Sequence, residues 1–214
     1  MKKLPAILLF SALTSGVAMA QSATGAADPA QFWQASLGAE TSRDYDTALS
    51  QTAAYQTAGG DTFLATLRTA WLAYLKKDYK NAALHYNEAE RLHPSSINPL
   101  LGLMYVSVAE GDATATEKAA ENVLHVDPLN YQAQMVAAAQ QYASKNYASA
   151  LASYRRVLTY YPDDLTALSG EAWSLYFLGR VKEATTDFQL LLGINASDTA
   201  ARRGLNLCLG KATD

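Results

Sequence analysis

Chemistry in a protein needs side chains that can hold a metal, carry a proton or attack a substrate, so those residues come first. His85, His93 and His125 are the only imidazoles in the 214-residue chain. No two of them stand at the i, i+4 spacing that places paired ligands on one helical face, so a zinc motif is not expected. Cys208 is the single cysteine. It sits in Leu205-Asn206-Leu207-Cys208-Leu209 with no histidine beside it to draw off a proton, which suits a small packed apolar residue better than a thiolate. One cysteine also excludes an intrachain disulfide. The acidic pairs Glu88/Glu90 and Asp163/Asp164 read as solvated carboxylates, because general acid and base work needs a concave site between them. Neither a Gly-rich phosphate loop nor a Gly-x-Ser-x-Gly elbow occurs. Asn195-Ala196-Ser197 matches a glycosylation acceptor by chance. No catalytic residue, metal site or cofactor is therefore expected, and the chain does not read as an enzyme.

Charge narrows the partners. Lys+Arg number 17 against 20 Asp+Glu, a formal net charge of −3. Such a balance lacks the electrostatic footprint of nucleic-acid or anionic-lipid binding. Half of the residues are hydrophobic, ample for a core, and Gly and Pro fall between apolar stretches, as in a helical protein. At the N-terminus, Met1-Lys2-Lys3 is basic, Leu4 to Val17 is largely apolar, and Ala18-Met19-Ala20 has the small-x-small pattern of a signal-peptidase site. This predicts a cleaved signal peptide over residues 1–20, a mature start at Gln21 and a periplasmic protein. Losing Lys2 and Lys3 lowers the 17 basic residues to 15 and moves the formal charge to −5. The apolar run falls short of the ~20 residues that span a bilayer, and no second one follows, so no membrane span is expected.

The elements that must position any site show themselves through a repeat. Pro94, Pro128 and Pro162 lie 34 residues apart. The same step links Ala82, Thr116, Ala150 and Ala184, and four residues later Tyr86, Ala120, Tyr154 and Phe188. It also links Tyr79, Ala113, Tyr147 and Val181, and Ala70, Met104, Ala138 and Ala172. Small residues let two antiparallel helices approach closely, and a bulky ring one turn later fills the space toward the next pair. Proline ends the second helix, since its ring breaks the hydrogen-bond ladder.

These columns resemble the tetratricopeptide repeat, whose period is 34 and whose second helix carries Ala-x3-aromatic before a proline. The matching residues are Ala82-x3-Tyr86 to Pro94, Ala150-x3-Tyr154 to Pro162, and Ala184-x3-Phe188. The turns Lys77-Asp78-Tyr79, Gly111-Asp112 and Leu178-Gly179-Arg180 agree, and Arg43-Asp44-Tyr45-x2-Ala48-Leu49 extends the pattern one step earlier. The resemblance, to a secreted bacterial member of the family, implies an all-α, right-handed superhelical solenoid of five antiparallel helix pairs plus a capping helix. The pairs fall at about 28–60, 61–94, 95–128, 129–162 and 163–196. A flexible segment occupies 21–27, the repeat domain 28–198, and a capping helix with its tail 199–214, with Asp198 as the N-cap. The pair over 95–128, with Ala113 and Ala120 where its neighbours have tyrosines, is expected to open most easily.

In that family the first helices line a concave groove. Helical spacing places Leu67, Trp71 and Tyr74 on one face. The 34-residue step carries the set to Leu101, Tyr105 and Val108, to Met135, Ala139 and Tyr142, and to Ser169, Trp173 and Tyr176. The expected contact residues are Leu67, Trp71, Tyr74, Leu101, Tyr105, Tyr142, Trp173 and Tyr176, an aromatic surface nearly free of charge. Family members that grip a C-terminal carboxylate use Lys, Arg and Asn in such columns, and these are absent here. The expectation is a protein-interaction adaptor in the cell envelope that binds an apolar peptide or helix. The alternative is a carbohydrate-binding accessory of polysaccharide export, with Trp71, Tyr105 and Trp173 stacked on sugar rings and Asn98, Gln132 and Gln141 beside them. Its partner would then be a polysaccharide.

Overall fold

The computed structural model describes residues 27–211; the expected signal peptide and most of the segment after it lie outside them. The described residues form eleven helices and no strand. In chain order these are α1 (Pro29–Thr41), α2 (Tyr45–Thr57), α3 (Thr62–Leu75), α4 (Tyr79–Leu92), α5 (Ile97–Glu110), α6 (Ala113–Val126), α7 (Tyr131–Ala143), α8 (Tyr147–Tyr160), α9 (Leu165–Phe177), α10 (Val181–Ile194) and α11 (Thr199–Cys208). None is long and apolar enough to cross a membrane.

Local chemistry sets where each helix begins and ends. Nine of the eleven start at an Asp or Asn whose side chain accepts a backbone N–H of the first turn, Asp198 before α11 among them. Ser96 and Arg180, before α5 and α10, make no such bond. The link from first to second helix turns on one left-handed residue: Arg43, Lys77, Gly111, Lys145 and Gly179, with φ of 61°, 63°, 74°, 63° and 75°. These are again 34 residues apart, so the same turn recurs even where a side chain has to tolerate it. Second helices end two residues before Pro94, Pro128 and Pro162, and the intervening residue leaves the helix at φ of −137°, −131° and −130°. Asn195 adopts the same conformation after α10 although Ala196 replaces the proline. A local turn, with Asn195 accepting from Ser197, stands there where the proline is missing.

Successive helices pack on one another, and first helices of neighbouring pairs also touch, α3 with α5, α7 with α9 and α9 with α11. No second helix meets the second helix of the next pair to the same extent. The first helices thus form the inner side of a superhelical solenoid and the second helices its outer side.

The alanine columns are at the centre. Ala70, Ala82, Ala138, Ala150, Ala172 and Ala184 are all fully buried, the close approach that small side chains permit. Between pairs, a second complementarity appears at a spacing of 16 residues. The rings of Tyr86, Tyr154 and Phe188 lie where a Cβ would stand on Gly102, Gly170 and Gly204, which would meet ring atoms at 2.2, 2.3 and 2.3 Å. Where the ring is missing, at Ala120, the facing residue is Val136, packed against the core that contains Ala120. The structure thus supplies the pair over 95–128 with a replacement for part of its lost aromatic volume. In the first interface the couple is Thr52 and Arg68, both buried.

Candidate functional site

The inner helices present two aromatic patches, one on α3 and α5, the other on α7 and α9. In the first, Trp71 stacks on Tyr74 with centroids 5.6 Å apart and planes 20° from parallel. Tyr74 also meets Tyr79 at 5.8 Å. Burial pushes the Tyr74 and Tyr105 phenols above their ordinary range, and each is raised further by a tyrosine neighbour, Tyr79 for Tyr74 and Tyr74 for Tyr105. These rings are half-buried.

Trp71 is held by charge from the preceding pair. Its indole N–H donates to Glu40 Oε1 at 2.8 Å, and Arg68 Nη1 donates to Glu40 Oε2 at 2.6 Å. Arg68 Nε reaches Ser36 Oγ at 2.8 Å, and Ser36 shares a 2.9 Å hydrogen bond with Thr52. The guanidinium lies 5.6 Å from the centroid of the Trp33 ring. A fully buried arginine is tolerable only when so paired. The network ties α1 and α2 to α3 and fixes the orientation of Trp71.

In the second patch, Phe177 stacks on Tyr147 at 4.6 Å and meets Tyr142 at 6.0 Å. Trp173 meets Tyr176 at 6.0 Å, Phe177 at 6.1 Å and the buried Phe188 at 5.1 Å. Burial raises the Tyr142 phenol, with a contribution from Tyr147. Phe177, 47 % exposed, was not among the expected contacts, because it lies one residue past the Tyr176 column. Between the two patches α5 and α7 touch less than α3 with α5 or α7 with α9 do, and Ala139 on α7 is exposed.

Of the eight expected contact residues, Trp71, Tyr74, Tyr105, Tyr142, Trp173 and Tyr176 are half-buried on these patches. Leu67 and Leu101 are not surface residues. They are 6 % and 7 % exposed and belong to the cores of their pairs, Leu67 with Tyr86 and Val106, Leu101 with Ala120 and Val123. A helical side chain leans toward the preceding turn, and at this position that carries leucine into the neighbouring pair instead of the groove. Met135 likewise packs against the core. Ser169, the fourth residue of that column, is too short to do so, and it lines a cavity of about 400 Å³ together with Tyr142, Thr166, Trp173, Asn195 and Asp198. A larger cavity, about 630 Å³, lies along the edge where α6 leads into α7 and α8 into α9. Asp127, Tyr131, Tyr161, Asp163 and Asp164 line it. There Tyr131 donates to Asp164 at 2.6 Å; burial and this carboxylate push the phenol up to about 12.

Among the described residues, no three His, Cys, Asp or Glu side chains come together to hold a metal ion. Cys208 is a free thiol packed against the C-terminal core. The His93 ring is tilted 50° against Phe63 at 4.5 Å, and His85 faces Glu88 at 3.7 Å. The Asn195 side chain accepts from its own Ser197 in a local turn.

The family model of the tetratricopeptide repeat matches residues 34–97 and 137–199, well over half of the chain. This protein belongs to the tetratricopeptide repeat family. Mouse tetratricopeptide repeat protein 21A is 25 % identical over 135 residues, which is 63 % of this chain but 10 % of that protein, so the chain spans about a tenth of its curated relative. Among solved structures, a tetratricopeptide repeat protein from Parabacteroides merdae superposes with a TM-score of 0.72 at 16 % identity, covering 86 % of this chain and 74 % of that one. MamA gives 0.66 at 13 % identity, with 77 % and 90 % covered. YrrB gives 0.65 at 12 %, with 82 % and 90 % covered. At such identities the likeness concerns the fold. The unmatched stretch, 98–136, holds the pair whose Ala113 and Ala120 depart from the aromatic pattern of its neighbours.

Proposed function

We propose that this tetratricopeptide repeat protein is a non-enzymatic adaptor of the bacterial periplasm that takes up an apolar segment of another protein on the aromatic surface of its first helices. The observation that carries the reading is the arrangement of Trp71, Tyr74, Tyr105, Tyr142, Trp173 and Tyr176. All six rings are on inner helices and half-buried. Rigid half-buried aromatics bring large contact area with little ordering cost, the property of binding hot spots. The repeat fold supports a protein or peptide partner, and the similar YrrB is described as a TPR protein with an unusual peptide-binding site. The periplasmic assignment rests on Met1–Lys3, the apolar stretch to Val17 and Ala18-Met19-Ala20.

The test begins with an array of apolar, basic and acidic synthetic segments, followed by titration of the tightest binder. Trp71→Ala should weaken binding by about 2 kcal/mol while circular dichroism shows unchanged helix content. Unfolding of the variant would make Trp71 a core residue, and unaltered binding would move the contact surface elsewhere; either refutes the groove. Intact mass of the exported protein should show a start at Gln21.

A further inference from the structure

The cavity at Ser169 has an origin that the repeat makes explicit. At the equivalent positions Leu67 and Leu101 are buried in core clusters, and Met135 packs against another. In the last pair a serine takes that position, and about 400 Å³ opens between α7, α9 and the start of α11. The space is bordered by the rings of Tyr142 and Trp173 and ends at Thr166, Asn195 and Asp198. Among the described residues Asp198 is the only charged one lining it, and no lysine or arginine does. Its Oδ1 accepts the N–H groups of Ala200 and Ala201; its Oδ2 has no hydrogen-bond partner among the described residues. Arg202, one turn along α11, directs its guanidinium to the Ala196 carbonyl instead. The larger cavity, at the turns into α7 and α9, has the same sign, lined by Asp127, Asp163 and Asp164 and, among the described residues, by no base. The hydroxyls of Thr166 and Ser169 have no partner among the described residues, whereas Thr66, Thr69 and Ser174 tie theirs to a backbone carbonyl of their own helix.

We propose that this cavity is the anchor subsite of the groove and that it receives a basic side chain, arginine or lysine, of the bound segment. The inference rests on the groove reading above and adds to it a specificity-determining pair, Ser169 and Asp198. An arginine or lysine has the two-part character the lining asks for. Its methylene stem covers apolar surface while the cationic head seeks a carboxylate and hydroxyls, and aromatic faces attract that head further. The like charge of Asp198 disfavours an acidic residue, and an aliphatic side chain would leave Asp198 Oδ2 and the two hydroxyls without a partner. Ser169 makes the room and Asp198 supplies the charge.

The experiment uses the mature chain and small probes: N-acetyl-arginine amide, N-acetyl-citrulline amide, N-acetyl-leucine amide and methyl glucoside. Binding is read from the Trp173 indole N–H resonance, assigned with Trp173→Phe. The arginine probe should shift it at millimolar concentration, and the uncharged citrulline and leucine probes should not. Asp198→Asn keeps a helix cap and should weaken the arginine probe about fivefold, the effect of one partly exposed ion pair. Ser169→Leu restores the residue found at 67 and 101 and should abolish the shift while melting temperature stays equal or rises. Equal response to leucine, a response to methyl glucoside alone, or no response to any probe overturns the proposal. Failure of the groove is distinguishable: if Trp71→Ala leaves segment binding intact while the arginine probe still answers to Asp198→Asn, the subsite stands and the groove falls.

Discussion

The 16-residue complementarity between rings and glycines can be broken and rebuilt. Tyr154 is 6 % exposed, and burial pushes its phenol up to about 12. Tyr154→Ala removes a buried ring and should cost about 3–5 kcal/mol. Gly170→Val places a Cβ 2.3 Å from Tyr154 Cζ and 2.4 Å from Cε2, inside any permissible contact, so the ring must leave its site. Overpacking of this kind costs about 1–3 kcal/mol, less a few tenths for replacing a helical glycine. Made together, the two substitutions recreate the Ala120–Val136 couple that the preceding interface already uses. Independent effects would sum to roughly 4–8 kcal/mol; the double variant should instead lose about 1–2 kcal/mol, a favourable coupling of at least about 2 kcal/mol. The assay is a double-mutant cycle by urea unfolding, with native-state hydrogen exchange of α8 and α9 to read the local interface, since repeat arrays can open pair by pair. Additive losses, or a Gly170→Val variant as stable as the parent, would show that ring and glycine are not partners, and the account of the interfaces would be wrong.

Two further outcomes follow from local geometry. Lys145 is left-handed at φ 63° where Gly111 and Gly179 fill the same turn, so Lys145→Gly should stabilise by up to about 1 kcal/mol, measured as a shift in urea midpoint. Gly179→Ala should lose a similar amount, and equal midpoints in both variants would remove turn strain as the reason for glycine. The Asp187 carboxyl is raised to about 6, first by burial and then by Glu171, against the pull of Arg155; its Oδ2 lacks a partner. Its folded pKa exceeds the unfolded 3.8, so the folded state binds the proton more tightly, and this group opposes folding when ionised. Its penalty is full above pH 6 and fades as pH falls toward 4. Because the carboxyl remains partly open to solvent, Asp187→Asn should gain only about 1 kcal/mol at pH 7.5. The gain should vanish near pH 4 in paired urea titrations, and one that persists there would have another cause.

Much of the fold is legible along the chain because the repeat converts three-dimensional contacts into a fixed sequence interval. Each helix pair meets the next in the same way, so Ala70, Ala138 and Ala172 must be small for one shared reason, and their columns stand out without coordinates. Helix starts are equally local, since an aspartate caps the backbone three residues ahead of it. The turn residues Arg43, Lys77 and Lys145 are less visible, for nothing in a basic side chain announces a left-handed backbone. Only the column they share with Gly111 and Gly179 does.

The groove shows where such reasoning stops. Helical spacing groups Leu67, Trp71 and Tyr74 on one face of α3, and it determines which residues share an orientation. It does not determine whether the neighbouring pair covers them. Leu67 is buried in a cluster that includes Val106 of α5, and Leu101 in one that includes Ala133 of α7, whereas Trp71, one turn along α3, is only half-buried. That difference depends on the distance between helices, which the superhelix sets. The same holds for Arg68. Its charge in a column of Gly102, Val136, Gly170 and Gly204 reads as an anomaly until folding brings Glu40 and Ser36 within hydrogen-bond reach, from 28 and 32 residues away. A periodic sequence therefore specifies which side chains recur at an interface. The cavity at Ser169, the anchoring of Trp71 and the burial of the leucines were decided by tertiary structure, because each depends on what neighbouring pairs place in the space a side chain leaves or fills.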